Sequence, residues 1–168
     1  TKGFVSAQYI DFKNGTKPAN KTENATSAIK NTASTSSSSK LSNKRTYNGK
    51  TIDVNELIEY SKQFIGTPYV YGGTDLENGV DCSGFVMSVY KNFGVQLNRV
   101  SRDMYLQGTA VQRADLEPGD LLFFNTGGNS IISHVGMYIG NDEYIHSTNG
   151  AGDGVTISSM NDGYVKRT

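Results

Sequence analysis

The sequence has no tryptophan, three prolines and a single cysteine in 168 residues. One cysteine excludes an intramolecular disulfide, so Cys82 is either a small buried hydrophobic residue or a reactive thiol. No run approaches the roughly 20 consecutive apolar residues that span a bilayer, and no charged start followed by an apolar run marks a signal peptide. Because an initiator methionine is also missing, we interpret the chain as an internal fragment of a longer protein.

The net charge of the whole chain is zero, but its parts carry opposite net charges. Residues 14–46 carry six lysines and arginines against one acid, whereas residues 47–168 carry eight against fourteen. A basic arm on an acidic domain argues against a nucleic-acid-binding fold, in which positive charge gathers on the folded face. We expect the lysines of the arm mainly to keep it solvated and extended.

Large aliphatic residues are nearly missing from residues 14–46, where Ile29 and Leu41 are the two present. Such a stretch cannot bury a core, so we interpret it as a flexible linker rich in Ser, Thr, Asn and Lys. Residues 1–13 begin TKGFVSAQYIDF, which alternates as a strand does and resembles the last strand of bacterial SH3-type modules. We interpret them as the remnant of an upstream domain, and residues 47–168 as one globular domain.

Helix signals come first in the globular domain. Helices are predicted over residues 53–66, 81–94 and 101–107. The first is predicted from Asp53 as its cap, with Glu56 completing a capping box. After Pro118 and Gly119 the pattern changes to strands, predicted at residues 121–124, 133–139, 143–147 and 155–158. Helices followed by an antiparallel meander predict an α+β domain.

Cys82 lies in the first turn of the second predicted helix. Free backbone N–H groups and the positive end of the helix dipole lower the pKa of a thiol placed there, so we expect a reactive thiolate. The neighbours Asp81 and Ser83 are polar and suit a core position poorly. We therefore interpret Cys82 as a nucleophile rather than as a structural cysteine.

The chain offers two histidines as a base for this thiol, His134 and His146, both in the predicted meander. Alternation along the strand places His134 opposite the apolar face. If a three-residue turn at residues 140–142 sets Ile139 opposite Glu143, the two histidines lie diagonally on one face, within about 7 Å. A two-residue turn would separate them onto opposite faces.

Six strings, taken together and in order, resemble the NlpC family of papain-like cysteine peptidases over roughly residues 54–164. They are GTPYVYGG at 66–73, DCSGF at 81–85, the R-x-S of Arg99 and Ser101, LEPGDLLFF at 116–124, SHVGMYIG at 133–140 and YIHS at 144–147. The resemblance implies Cys82 as nucleophile, His134 as general base and His146 as the residue that orients the base. It implies neither a metal nor another cofactor.

The resemblance also assigns roles around these three residues. It implies that Tyr69 and the Cys82 amide hold the oxyanion, and that Arg99 is a nearby structural or substrate contact. The subsite for the free amino end of a stem peptide would be lined by Asp81, Ser83 and Ser101. Positions that depart from the family pattern are Tyr71, Asn98 and Met104, where Trp, Pro and Gln are frequent, and they leave the shape of the groove open.

The presence of Asp81 next to Cys82 has to be explained, because a carboxylate beside a catalytic thiol opposes thiolate formation. One role is to cap the helix that carries Cys82. The other is to pair with the ammonium of a stem peptide whose first alanine is free.

The implied function is hydrolysis of peptidoglycan at the γ-D-glutamyl bond to diaminopimelate or Lys, through a thioester. The expected enzyme is a monomer, secreted to the cell wall and of the autolysin kind, with stem peptides as its partners and no nucleic acid or membrane span. Two alternatives stay open. One is an amidase of the related Cys/His class, which cuts between sugar and stem, and the other is an inactive wall-binding module.

Overall fold

The computed structural model describes residues 7–11, 43–126, 131–150 and 153–161. The interpretation of residues 14–46 as a linker therefore lies mostly outside the described residues. So do most of residues 1–13, which we assigned to an upstream domain. The division of the chain into three parts stays a prediction.

The helices of the described part are α1 (Val54–Lys62), α2 (Cys82–Asn92) and α3 (Ser101–Tyr105), with a 3-10 turn at Arg113–Asp115. Asp53 caps α1 as predicted, because its side chain accepts hydrogen bonds from the N–H groups of Asn55 and Glu56. All three predicted helices are confirmed, although each ends a few residues early. The chain leaves the first two through turns that contain Gly66 and Gly94, both at positive φ.

A six-stranded sheet forms the other layer, in the order β10-β9-β8-β7-β1-β6. Its strands are β1 (Ala7–Asp11), β6 (Thr109–Val111), β7 (Leu121–Phe124), β8 (His134–Gly140), β9 (Glu143–Thr148) and β10 (Gly154–Ser159). Two short hairpins complete the described fold, β2 (Lys44–Tyr47) with β3 (Lys50–Asp53), and β4 (Thr74–Asp75) with β5 (Gly79–Val80). The α+β architecture and the four predicted strands are confirmed.

Strand β1 joins this sheet between β7 and β6 and is antiparallel to both. Tyr9 lies opposite Leu122 on one side and Val111 on the other. The strand character predicted from the alternation near the start of the chain is thus confirmed for these five residues. That they derive from an upstream domain stays a prediction.

The described residues resume at Asn43, slightly before the predicted boundary at residue 47. Arg45 in β2 is 9% exposed and reaches across to Asp120, 2.7 Å from its carboxylate. In the sequence, residues 44–46 look like a continuation of the linker. The reason is that Asp120, the buried partner of Arg45, lies 75 residues further along the chain. A cut after residue 46 would therefore remove a strand and one half of a buried ion pair.

The turn between β8 and β9 differs from the prediction, yet the register does not. The observed pairs are Met137 with Ile145, Tyr138 with Tyr144, and Gly140 with Glu143. A β-bulge at Ile139 absorbs one residue, and the turn is the two-residue Asn141–Asp142, both at positive φ. The three-residue turn at 140–142 is therefore wrong. The bulge has the same effect on register, so His134 and His146 still share a face.

Helix α2 packs on one face of the sheet against β8 and β9. The buried residues of this interface include Phe85, Val86, Val89 and Tyr90 from α2, and Leu121, Phe123, Val135, Met137 and Ile145 from the sheet. A smaller cluster, Leu122, Phe124, Tyr144 and Met160, lies on the opposite face. In the described ranges, no helix combines the length and apolar character that a membrane span requires.

Candidate active site

Cys82 is the first residue of α2, and Asp81 is the cap of that helix. The Asp81 carboxylate accepts a 2.7 Å hydrogen bond from the Gly84 N–H, which fixes the direction in which the helix leaves the loop. A Cβ on Gly84 would collide with the carbonyl oxygen of Gly73, so glycine allows the loop and the helix to approach. The thiol is consequently held at the helix N-terminus, 9% exposed.

His134 and His146 are joined directly. The Nε2 of His134 lies 2.7 Å from the Nδ1 of His146, and the two rings meet edge to face. Phe124 packs near the His134 ring and Tyr144 near the His146 ring. Gly136 makes room for the pair, because a Cβ there would come within 3.1 Å of the His146 Cβ.

Cys82 and both histidines line one cavity of about 510 Å³. The other lining residues are neutral and mostly polar, namely Tyr69, Tyr71, Thr126, Ser133, Tyr144, Thr148, Asn149, Gly150, Ser158 and Ser159. Tyr71 is 91% exposed and lies at the rim. The site thus combines one thiol, two imidazoles and a set of hydrogen-bonding groups, without a formally charged side chain among the described lining residues.

The pKa of the Cys82 thiol is raised, against the expectation from the helix N-terminus. Burial is the main cause, and the nearby Asp81 carboxylate adds to it. The N–H group of Val135 on β8 lowers the thiol pKa, and so do the N–H groups of Ser83 and Cys82 at the helix N-terminus, but burial outweighs all three. The sequence shows the position of Cys82 on the helix but not how deeply it is buried, so the predicted lowering of the thiol pKa was wrong.

Both histidines have lowered pKa values for the same reason. Burial, with a contribution from His146, lowers the pKa of His134 to about 3. Burial alone lowers the pKa of His146 to about 4. Both imidazoles are therefore neutral near pH 7, and the thiol is protonated in the resting site.

Next to Cys82, Asp81 forms a tightly bonded cluster with Arg99 and Ser83, none of which is among the residues that line the cavity. The two carboxylate oxygens accept hydrogen bonds of 2.7 and 3.0 Å from Arg99, and one also accepts from the Ser83 hydroxyl. The Gly72 N–H donates to the other oxygen at 3.0 Å. Burial opposes ionisation of Asp81, but the hydrogen bonds and the Arg99 charge outweigh it and lower the carboxyl pKa.

The structure brings most of the predicted site residues together. Tyr69 lines the cavity beside Cys82, and burial and the thiol raise its pKa, so its hydroxyl keeps its proton. Ser101 begins α3 and is buried. Among the described residues it belongs neither to the cavity lining nor to the hydrogen-bonded cluster of Asp81. The roles assigned to these side chains stay predictions.

Ser158 is a site residue that the sequence analysis missed. It lies on β10, where its hydroxyl oxygen is 2.9 Å from the Nε2 of His146. Locating it requires the register of β10 against β9, and the connection offers two competing turn signals, Asn149-Gly150 and Asp153-Gly154, that predict different registers. The described part of the chain holds no group of three or more His, Cys, Asp and Glu side chains placed to bind a metal ion.

A thiol at a helix N-terminus that faces a histidine pair on an antiparallel sheet defines the papain-like class. Comparison with known proteins narrows this class. The NlpC/P60 family matches residues 66–168, more than half of the chain, and the chain belongs to that family.

Individual relatives agree with this placement. A probable endopeptidase of Haemophilus influenzae is 42% identical over 64% of this chain and 66% of its own length. A γ-D-glutamyl-L-lysine dipeptidyl-peptidase of Bacillus cereus is also 42% identical, over 55% of this chain and 28% of its own. The crystal structure of an NlpC/P60 family protein from Bacillus cereus matches with a TM-score of 0.62 and 38% identity, covering 68% of this chain and 37% of that one. The chain thus spans two thirds or less of these relatives.

Proposed function

We propose that this domain is a cysteine peptidase that hydrolyses the peptide stems of peptidoglycan. The observation that carries the proposal is the direct 2.7 Å bond between His134 and His146 at a cavity that also contains Cys82. Membership of the NlpC/P60 family and the names of the relatives support peptidoglycan as the substrate. A buried thiol without a base would support a structural cysteine instead.

The reaction starts with the Cys82 thiol and the His134 imidazole both neutral. Because Nε2 of His134 is bonded to His146, Nδ1 is the nitrogen left to accept the Cys82 proton. The sulfur attacks the scissile carbonyl carbon, and a C–S bond forms as the C–N bond breaks. The proton on His134 passes to the leaving amine. Water then attacks the thioester with His134 again as base, and the product acid and the free thiol result.

The raised thiol pKa and the lowered His134 pKa favour proton transfer together with attack over a preformed thiolate–imidazolium pair. Negative charge that develops on the carbonyl oxygen needs donors. We assign the Cys82 N–H and the protonated Tyr69 hydroxyl to this role, since both lie at the cavity end of α2.

We assign the scissile bond to the γ-D-glutamyl linkage to the third stem residue, diaminopimelate or Lys. The B. cereus relative, whose printed name specifies a γ-D-glutamyl-L-lysine bond, supports this choice. The neutral, hydrogen-bonding lining of the cavity suits a peptide stem with many amide groups. We therefore propose that the enzyme acts at the bacterial cell wall, and we keep the expectation that it is secreted, monomeric and of the autolysin kind.

Mass spectrometry of digested free stem peptides, and of sugar-linked muropeptides beside them, tests the assignment, with the diaminopimelate and Lys chemotypes of each as parallel substrates and Cys82→Ser as the control. We expect fragments with a new γ-D-Glu carboxyl group from wild type and none from the variant. Fragments with a free lactyl group would instead identify an amidase. No release by wild type, with a thiol that does not react with alkylating reagents, would leave a wall-binding module.

We further propose that Asp81, Ser83 and Ser101 border the subsite for the amino end of the stem, with Arg99 as the structural partner of Asp81. Arg99 already neutralises much of the Asp81 charge. An ammonium would therefore have to share the carboxylate with the donors that hold it. Hydrolysis of L-Ala-γ-D-Glu-L-Lys should be at least about tenfold faster than that of its N-acetylated form, as expected for a charged hydrogen bond. Equal rates would leave Asp81 as a helix cap and ion-pair partner alone.

A further inference from the structure

Ser158 extends the histidine pair by one residue. In the antiparallel pairing of β9 with β10, Thr156 lies opposite His146 and Ser158 lies opposite Tyr144. Ser158 is therefore two residues along the strand from the partner of His146 and on the same face of the sheet. Its hydroxyl oxygen is 2.9 Å from the Nε2 of His146.

His146 is consequently bonded at both ring nitrogens, by His134 at Nδ1 and by Ser158 at Nε2. A neutral imidazole has one N–H, so these two bonds are not independent. His134 can act as base through Nδ1 only if its own proton is on Nε2. That proton is then donated to Nδ1 of His146, and the His146 proton must be on Nε2, where Ser158 accepts it.

The opposite arrangement reverses every bond. If His146 carried its proton on Nδ1, it would donate to His134, and His134 would hold its proton on the nitrogen that the thiol needs. The Ser158 hydroxyl can donate as well as accept, but by accepting at Nε2 of His146 it satisfies the N–H that the productive arrangement requires, and without the hydroxyl that largely buried N–H would lack this partner. The low pKa of His146 keeps the ring neutral near pH 7, where it has only one N–H to donate.

We propose that Ser158 is a positioning residue that fixes the tautomer of His146 and, through it, the tautomer of His134. The inference rests on the proposed function, since it concerns the same reaction. Ser158 does not touch the reacting atoms. Its effect should therefore appear in kcat, with KM unchanged, and in the position of a proton on a ring that it contacts.

Kinetics with a stem tripeptide and ¹⁵N NMR of the histidine rings test the proposal. The loss of one such hydrogen bond in Ser158→Ala and Ser158→Val should lower kcat about tenfold, with KM within about twofold of wild type. Ser158→Thr, which keeps the hydroxyl in nearly the shape of Val, should recover most of the loss. In the NMR spectra, His146 should carry its proton on Nε2 in wild type and in Ser158→Thr, and shift toward Nδ1 in the other two variants.

The matched control is Thr156→Val, which removes a hydroxyl directly opposite His146 that makes no hydrogen bond in the described part of the chain. It should leave kcat and the tautomer unchanged. A Ser158→Ala variant with wild-type kcat, or with an unchanged His146 tautomer, would overturn the proposal, as would a Ser158→Thr variant as slow as Ser158→Val. If wild type itself does not hydrolyse the peptide, the proposed function fails, and the NMR experiment still decides the role of Ser158.

Discussion

The two sides of Cys82 hold their polar groups in different ways. On the cavity side, His134 and His146 are neutral and share one short hydrogen bond. On the anchor side, Asp81 and Arg99 carry full charges, and several hydrogen bonds lock them in place. A neutral pair can pass a proton during a reaction. An ion pair whose hydrogen bonds are all formed can do so only at a large cost in free energy. We infer that the cavity side performs the chemistry and that the anchor side fixes the helix that carries the thiol.

The largest expected effect comes from the thiol itself. Cys82→Ser should lower hydrolysis of stem peptides by about 10³-fold or more, because a serine hydroxyl is far less acidic and less nucleophilic than a thiol. The urea midpoint should stay close to that of wild type, since the two side chains have similar size. Activity above roughly a tenth of wild type would remove Cys82 from the nucleophile role.

The two histidines should differ in the size of their effect, because we assign the proton transfer to His134 and only its orientation to His146. His134→Ala should be as severe as Cys82→Ser, and His146→Ala should cost about 10- to 100-fold, since it removes orientation and leaves the base. Steady-state rates on one peptide are sufficient to rank the variants. Equal losses at the two positions would mean that the roles are assigned wrongly.

The neutral state of the histidines should also make the fold sensitive to acid. The unfolded chain binds protons at both histidines below about pH 6.5, and the folded chain does so only near their lowered pKa values of about 3 and 4. Stability should therefore fall as the pH drops from 7, with each histidine contributing a loss of about 2 kcal/mol by pH 5. Urea unfolding at pH 7 and pH 5 measures this loss.

The control for that experiment is the same pair of measurements on His134→Gln and His146→Gln. Each glutamine cannot be protonated, so each variant should lose less stability between pH 7 and pH 5 than wild type. A pH dependence identical to that of wild type in both variants would show that other groups cause the acid sensitivity.

The anchor side should respond in stability more than in rate. Arg99→Met leaves the Asp81 carboxylate without its cation, at a cost of about 1 to 2 kcal/mol because the Arg99 side chain is 35% exposed. In the Asp81→Asn background the same change should cost less, since asparagine still caps a helix and needs no counter-charge. A double-mutant cycle from urea unfolding gives the difference, and simple additivity would contradict a direct Asp81–Arg99 coupling.

Local signals in the sequence predicted much of this arrangement. The capping residues Asp53 and Asp81 lie next to the helices they begin, so both helices were predictable from short strings. The shared face of His134 and His146 was also predicted, although through a turn that does not exist. The bulge at Ile139 and the observed two-residue turn together give the same strand register that the predicted three-residue turn would have given.

What the sequence could not show depends on burial or on distant pairing. The sign of the Cys82 pKa shift follows from how deeply the thiol is buried, and no local pattern reports that depth. Arg99 is 18 residues from the carboxylate it neutralises, and Arg45 is 75 residues from its partner. Ser158 reaches His146 only through the β9–β10 register.

Trapping the acyl intermediate tests the central claim most directly, namely that Cys82 attacks the stem peptide. L-Ala-γ-D-Glu-L-Lys is mixed with the enzyme, the reaction is stopped with acid within the first turnovers, and the digested protein is analysed by mass spectrometry. We predict an added L-Ala-γ-D-Glu acyl group on the peptide that contains Cys82, and none in Cys82→Ser. Hydrolysis that proceeds without any acyl group on Cys82, together with an active Cys82→Ser variant, would contradict the account.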